Sequence, residues 1–382
     1  MRKYAVGLVL LALTFSCLES AVAAPQLGGS CRQQGAIAHY LEKTFVCAKV
    51  GKALKYIASD GTVNSGVVPV AKVDATVLKA YNAFDHAACK TAHPNITANY
   101  LVSPNYSPEM VDKQKALFEQ AMSCYNNYFS RSISVNILIA TEKDYDFMVS
   151  QTMAGKPVFD AIQLRWAKFM MERDTPKSNS QRGGASGSAG WSPSLGSGWM
   201  IIIDASVNKT PDSHMASHEF VHILQSFSKS ALFVNYGDGS ADADYVNMPT
   251  WFWEGTAELF STASITATAN YFSPAMDQVR TQGKESPSLN KIISPAEVAS
   301  TLAKIEAPST QEANMMFYAL GSVICEYILA TYGYDKYWQI MKNAGTYPSF
   351  DENLKHTIGL GKNELYANAA PFVLSQWKQT KF

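Results

Sequence analysis

Apolar and polar positions alternate in two different rhythms along this chain. Ser132–Ala140, SISVNILIA, is a β-branched run of strand length, and Trp199–Asp204, WMIIID, is a second. Helical spacing of apolar residues covers 142–153 and 157–173 between them. Ser178–Ser197 interrupts the pattern with glycine and serine and reads as a flexible loop, with a lid or a self-cleavage site as the sharper reading. Upstream, 74–90 reads as a helix ending at Cys89, and 107–129 as a helix carrying Cys124. After residue 260 the pattern is helical throughout, with segments at 272–281, 294–304, 311–332, 335–344 and 362–378 broken by Gly, Pro and Ser. The expected class is α+β: a small mixed sheet and the helices beside it, followed by a mainly helical C-terminal subdomain.

One helix carries chemistry. His214–Gln225 reads HMASHEFVHILQ, and within it His218, Glu219 and His222 form H-E-x-x-H. Two histidines four residues apart lie on one face, one turn apart, so both imidazoles can reach one zinc ion at about 2.0–2.1 Å. Glu219, roughly 100° round the helix, can hold and deprotonate a water on the metal instead of ligating it. Pro211, Asp212 and Ser213 supply the start signal, and Phe220, Val221, Ile223 and Leu224 the apolar body. The bland alternative is a buried helix that happens to carry two histidines.

Such a centre needs a third protein ligand and an open fourth position. Position 225 is Gln and 228 is Ser, so the metzincin pattern is excluded. His214 and His222 stand about 12 Å apart along the axis, too far to share one ion with His218, which leaves His214 as a first-turn or rim residue. Trp251–Phe260, WFWEGTAELF, offers a better source. Thr250 is a plausible N-cap, Glu254 and Glu258 share a face, and Gly255 permits close helix approach. Glu254 is assigned as the third ligand. Glu258 is assigned the role of orienting a ligand histidine through its other ring nitrogen.

At these residues the chain resembles the gluzincin metallopeptidases, which include thermolysin, the bacterial collagenases and the zinc aminopeptidases. His218-Glu219-Phe220-Val221-His222 is similar to their first motif and Trp253-Glu254-Gly255-Thr256-Ala257-Glu258 to their second. The stretch from His222 to Glu254 is longer than in the best-known members, which implies an inserted loop. The resemblance implies a third element as well. Tyr318-Ala319-Leu320-Gly321, in an apolar helix closed by Tyr332-Gly333, matches a family pattern that brings a Tyr hydroxyl to the metal as an oxyanion donor. It further implies that the strand Trp199, Met200, Ile201, Ile202 and Ile203 borders the cleft and pairs with a peptide substrate. The Gly-x-Met-Glu-Asn element of the similar aminopeptidases is absent from the sequence, which favours an endopeptidase.

The N-terminus and the composition set the context. Arg2 and Lys3, the apolar run Val6–Leu13 and Ala21-Val22-Ala23 make residues 1–23 a secretory signal, so the expected location is extracellular or in the cell envelope. Net formal charge is zero and charged residues are 17%, which excludes a nucleic-acid partner of the basic-patch kind. The helix 311–332 is apolar, but Glu326 near its middle favours a buried helix over a stable membrane span. Residues 24–75 resemble a small cysteine-stapled hairpin module of secreted Gram-positive proteins, which implies a Cys31–Cys47 bridge. The two upstream helices of 76–130 suggest a Cys89–Cys124 bridge, and Cys325 remains as a buried thiol. The catalytic region is expected to span 131–382, with 25–130 open as a pro-segment. Asp238, Asp242 and Asp244 can bind Ca²⁺, although their spacing is not that of an EF-hand and a solvated acidic loop is the plainer reading. The expected partner is a peptide or protein substrate; the sequence sets no oligomeric state. The competing readings are an exported surface or binding protein without turnover, and a zinc amidase acting on a non-protein substrate.

Overall fold

The structure is a computed structural model. It describes residues 37–40, 43–50, 53–58, 74–129, 131–153, 155–175, 185–192, 195–206, 213–228, 248–266, 272, 275–276, 279, 292–306 and 311–379. The secretory signal, Cys31 and the Asp238–Asp244 loop lie outside them, as does the side chain of Cys47. The described part of the N-terminal module is an antiparallel meander, β1 (Ile37–Tyr40), β2 (Lys43–Val50) and β3 (Ala53–Ala58).

The main sheet takes its strands in the order β4-β5-β9-β8. Here β4 is Ile96–Val102, β5 Ile133–Ala140, β8 Ala185–Ser192 and β9 Ser197–Asp204. A two-stranded ladder of β6 (Thr152–Met153) and β7 (Lys156–Pro157) stands apart from it. β4, β5 and β9 are parallel, and β8 runs antiparallel to β9. The β-branched residues of β5 and β9 point alternately to two cores, as the period of two requires. Val135, Ile137, Ile139, Met200 and Ile202 join the large core. Leu138, Ala140, Ile201 and Ile203 join a smaller one under α3 (Tyr145–Ser150) and α4 (Ala161–Asp174). The expected α+β class with a mixed sheet and a helical C-terminal region is what the fold shows.

Three expectations are corrected. The Gly/Ser-rich stretch is not one loop: residues 185–192 form β8, because an antiparallel ladder to β9 needs only backbone groups and small side chains do not hinder it. Trp199–Ile203 is not a free cleft-side strand, since β9 is hydrogen-bonded to β5 on one side and β8 on the other. No domain boundary falls at 130/131. β4 pairs in parallel with β5, and α1 (Ala75–Ala83) and α2 (Pro108–Tyr125) contribute Val77, Ala80, Phe118 and Met122 to the large core. Residues 74–129 therefore pair and pack with the residues that follow as one fold. The Cys89–Cys124 disulfide is present and ties the turn after α1 to α2.

The helical region begins with α5 (Ser213–Ser228), which packs on α2 and on β8. Tyr125 of α2 stacks on Phe220 at 5.9 Å between ring centroids, and its hydroxyl lies 3.1 Å from Ser217 Oγ. Next come α6 (Thr250–Ile265), α7 (Pro295–Lys304), α8 (Gln311–Lys342), α9 (Phe350–Ile358) and α10 (Lys362–Gln379). α8 is two helical runs that meet at Gly333, whose φ of 77° and ψ of 170° are not helical and suit a residue without Cβ, in keeping with the expected segments 311–332 and 335–344. Among the described residues, Met316–Lys342 is the helix apolar and long enough to cross a membrane, and 67% of its apolar window is buried inside the fold. Ala319, Leu320, Val323, Ile324 and Ile328 are completely buried there, so it packs as a core helix. Cys325 is buried in it without a disulfide partner among the described residues.

α6 is held at both its start and its middle. The Thr250 N–H donates to Glu306 O at 2.9 Å, and Trp251 Nε1 donates to Tyr366 OH at 2.9 Å. Its middle crosses α8 with backbone against backbone: a Cβ on Gly255 would collide with the Gly321 carbonyl, and one on Gly321 with the Trp251 carbonyl. We expect Gly321→Ala to destabilise the protein by about 1–3 kcal/mol through overpacking, read from the urea midpoint. A neutral effect would show that the two backbones do not meet there.

Candidate metal centre

α5 and α6 meet at a cluster of buried ionisable side chains. His218, Glu219, His222 and Glu258 are buried, and Glu254 is nearly so. The apolar bodies of both helices carry these groups inward: Phe220, Val221, Ile223 and Leu224 on α5, Trp251, Phe252, Leu259 and Phe260 on α6. Charges taken out of water in this way have to pair with one another or with a bound ion.

The pairing is specific. His218 Nε2 lies 3.1 Å from His222 Nε2. Glu254 Oε2 lies 3.4 Å from the first and 3.3 Å from the second. A tetrahedral ion with bonds of about 2.0–2.1 Å separates its ligands by about 3.3 Å, so three donors already stand at the spacing of a tetrahedral face. Two imidazole Nε2 atoms that face each other cannot both offer a lone pair without a proton or a cation between them. The other ring nitrogen of His222 fixes its tautomer. Gln225 Oε1 is 2.7 Å from His222 Nδ1, and Gln225 Nε2 donates to Trp253 O at 2.9 Å, so its orientation makes Oε1 the acceptor. Glu258 Oε1 lies 3.3 Å from His218 Nδ1. The His222 Nε2 lone pair is thereby turned toward Glu254, the Glu258 carboxylate stands beside His218 Nδ1 as a charge contact, and the set of two imidazoles and a carboxylate suits Zn²⁺.

Electrostatics follow from the same contacts. Burial would raise the Glu254 carboxyl, but His222 and His218 outweigh it and bring its pKa down to about 2. Glu258 is likewise held well below the ordinary range, burial being overcome by His214 and His218. Burial opposes charge on His218 and His222, yet the adjoining carboxylates win and push both upward. Glu219 differs. Burial raises its pKa, His222 and His218 oppose that only in part, and Glu254 and Glu258 add to the rise. Its Oε2 is buried without a hydrogen-bond partner among the described residues. A carboxyl kept basic beside a cation site is suited to accept and return a proton.

Glu219 also has a specific seat. It rests on Gly187 of β8, where a Cβ would stand 2.5 Å from the Glu219 Cγ and Oε1. Tyr318 on α8 sits on another side, its ring centroid 6.2 Å from that of His218. Trp253 stacks on His222 at 5.8 Å, with 13° between the planes.

His218, Glu219, His222, Glu254, Glu258 and Tyr318 are thus brought to one place. Trp199, Met200, Ile201, Ile202 and Ile203 are not in it as a free strand, for the pairing reason above. Gln225, Gly187 and His214 are additions. The sequence held a signal for two of them: Gln225 stands three residues after His222 and His214 four before His218, both within reach of the same helix face. His214, expected as a rim residue, forms with His218 and Glu258 a second group whose donor atoms lie within 4.8 Å of one another. Comparisons with protein-family models, with curated proteins and with solved structures found no match.

Gly187→Ala should push the Glu219 carboxylate off β8 toward solvent. Its titration midpoint, followed by carboxyl ¹³C NMR, should then fall back toward the ordinary carboxylate range. An unmoved midpoint would mean that Glu219 does not depend on that strand.

Proposed function

We propose that the chain is an exported zinc-dependent endopeptidase of the gluzincin type. The observation that carries this reading is the His218–His222–Glu254 triangle at tetrahedral spacing, with the Glu219 carboxyl, its pKa raised by burial, on the same helix. The Cys89–Cys124 disulfide and the leader-like N-terminus support export to an oxidising compartment.

His218, His222 and Glu254 would hold the ion. When bound, zinc supplies a Lewis acid that activates water and polarises a carbonyl. Glu219 takes the proton of the attacking water and delivers it to the leaving amine; a carboxyl of raised pKa suits both halves of that transfer. Tyr318, on the helix locked to α6 through Gly255 and Gly321, donates its hydroxyl to the developing oxyanion. The peptide pairs along β8 rather than β9. β8 is an edge strand of the described sheet, and it carries Gly187 beneath Glu219. Strand addition there brings a scissile bond past the carboxylate.

Glu219→Gln should retain zinc and lose cleavage of a peptide library by roughly 10²–10⁴-fold. Cleavage that persists undiminished in the zinc-loaded variant would rule out Glu219 as the base, and a wild type that neither binds zinc nor cuts would rule out the peptidase. Tyr318→Phe should lower kcat by about 10²–10³-fold with KM little changed, as for loss of an oxyanion donor. A rise in KM alone would assign Tyr318 to substrate binding instead.

A further inference from the structure

We propose that His214 is a positioning residue for the metal ligand His218, acting through the buried carboxylate of Glu258; this rests on the zinc reading of the site. Glu258 bridges two imidazoles. Its Oε1 is 3.3 Å from His218 Nδ1, and its Oε2 is 3.0 Å from His214 Nε2. The carboxylate is 4% exposed, so water cannot replace a lost donor.

The proton on His214 can be placed. Ser261 Oγ lies 2.8 Å from His214 Nε2, but the Ser261 hydroxyl donates to Glu258 O at 3.0 Å. Nε2 of His214 also faces Glu258 Oε2, a carboxylate oxygen that can only accept, so Nε2 carries a proton. That proton is directed at Ser261 Oγ, and the same ring edge lies against Glu258 Oε2 at 3.0 Å as a charge contact. Glu258 then faces an imidazole at each oxygen, and these two charge contacts oppose its turning about the terminal bond. Oε1 stays beneath His218 Nδ1, which holds the Nδ1–H tautomer and keeps Nε2 facing His222 and Glu254. The helix geometry provides this reach, because His214, His218 and His222 follow one another at four-residue steps down one face of α5. His214, too far along the helix to share the ion, contributes one step removed from it.

The test measures zinc affinity of the full chain by competition with a chromophoric chelator, for wild type, His214→Leu and His214→Gln. His214 is 28% exposed, so both substitutions are tolerable in size and polarity. Loss of such an outer partner weakens metal binding by about 10–100-fold, so the Leu variant is expected at the lower end of that range. The Gln variant keeps an N–H donor and should recover most of the loss. In a Glu258→Gln background, His214→Leu should cause little further loss, because the two act in series. Leu binding as tightly as wild type, Gln as weakly as Leu, or a full additional loss in the Glu258→Gln background would each overturn the inference while leaving the zinc centre intact. A wild type that takes up no zinc would overturn the zinc reading itself and this inference with it. One readout needs no variant: ¹⁵N spectra of the zinc-loaded wild type should show His214 protonated at Nε2, and the Nδ1–H form would overturn the inference.

Discussion

Three carboxylates, Glu219, Glu254 and Glu258, are buried between two apolar helices, and the structure around them is arranged to make that burial tolerable. A lone buried carboxylate would cost several kcal/mol. Glu254 is offset by two imidazoles, and Glu258 by His218 on one oxygen and His214 on the other. Glu219 is the exception: burial, with Glu254 and Glu258 nearby, outweighs the two imidazoles and drives it toward the protonated form. Groups that differ only in their neighbours are thereby held in different charge states, two as fixed anions and one pushed toward its neutral form.

Such pairing works only if the helices cannot slide. Glu254 Oε2 stands within 3.4 Å of both imidazoles, and a shift of an ångström would break that triangle. The scaffold removes the freedom from several sides. Gly255 and Gly321 bring the α6 and α8 backbones into contact, and the Trp251–Tyr366 hydrogen bond fixes the first turn of α6. α5 is buttressed by Tyr125 of α2, which the Cys89–Cys124 disulfide secures in turn. The upstream region is thus part of the support for the site. The two glycines also explain why the motifs contain them: W-E-G and Y-x-x-G are the two halves of one helix crossing.

The site was legible in the sequence where a single helix encodes it. His218, Glu219 and His222 are separated by fixed helical offsets, so their relation follows from the α-helix itself. Glu254 and Glu258 were legible for the same reason, and the distance between the two helices is what the structure adds. Gly187 was not legible. It lies on a strand of Ala, Gly and Ser with no apolar alternation, and composition alone made that stretch look like a loop. β4 was missed similarly. It is an edge strand whose residues after Ile96 are only partly buried or exposed, so it lacks the β-branched run that marks β5.

By itself, the sequence determined the α+β class, the helix carrying H-E-x-x-H, the second acidic helix and the apolar helix of Tyr318, because periodicity and spacing act within ten or so residues. Tertiary structure alone decided that β8 is an edge strand, that β9 is interior, that 74–129 belongs to the same fold, and that His214 reaches Glu258. Each of these is a contact between segments far apart in the chain. Strand order depends on backbone hydrogen bonds, which every residue but proline can make, and so leaves little trace in side-chain pattern. The partner of a buried charge depends on which helix packs beside it, and no local spacing records that.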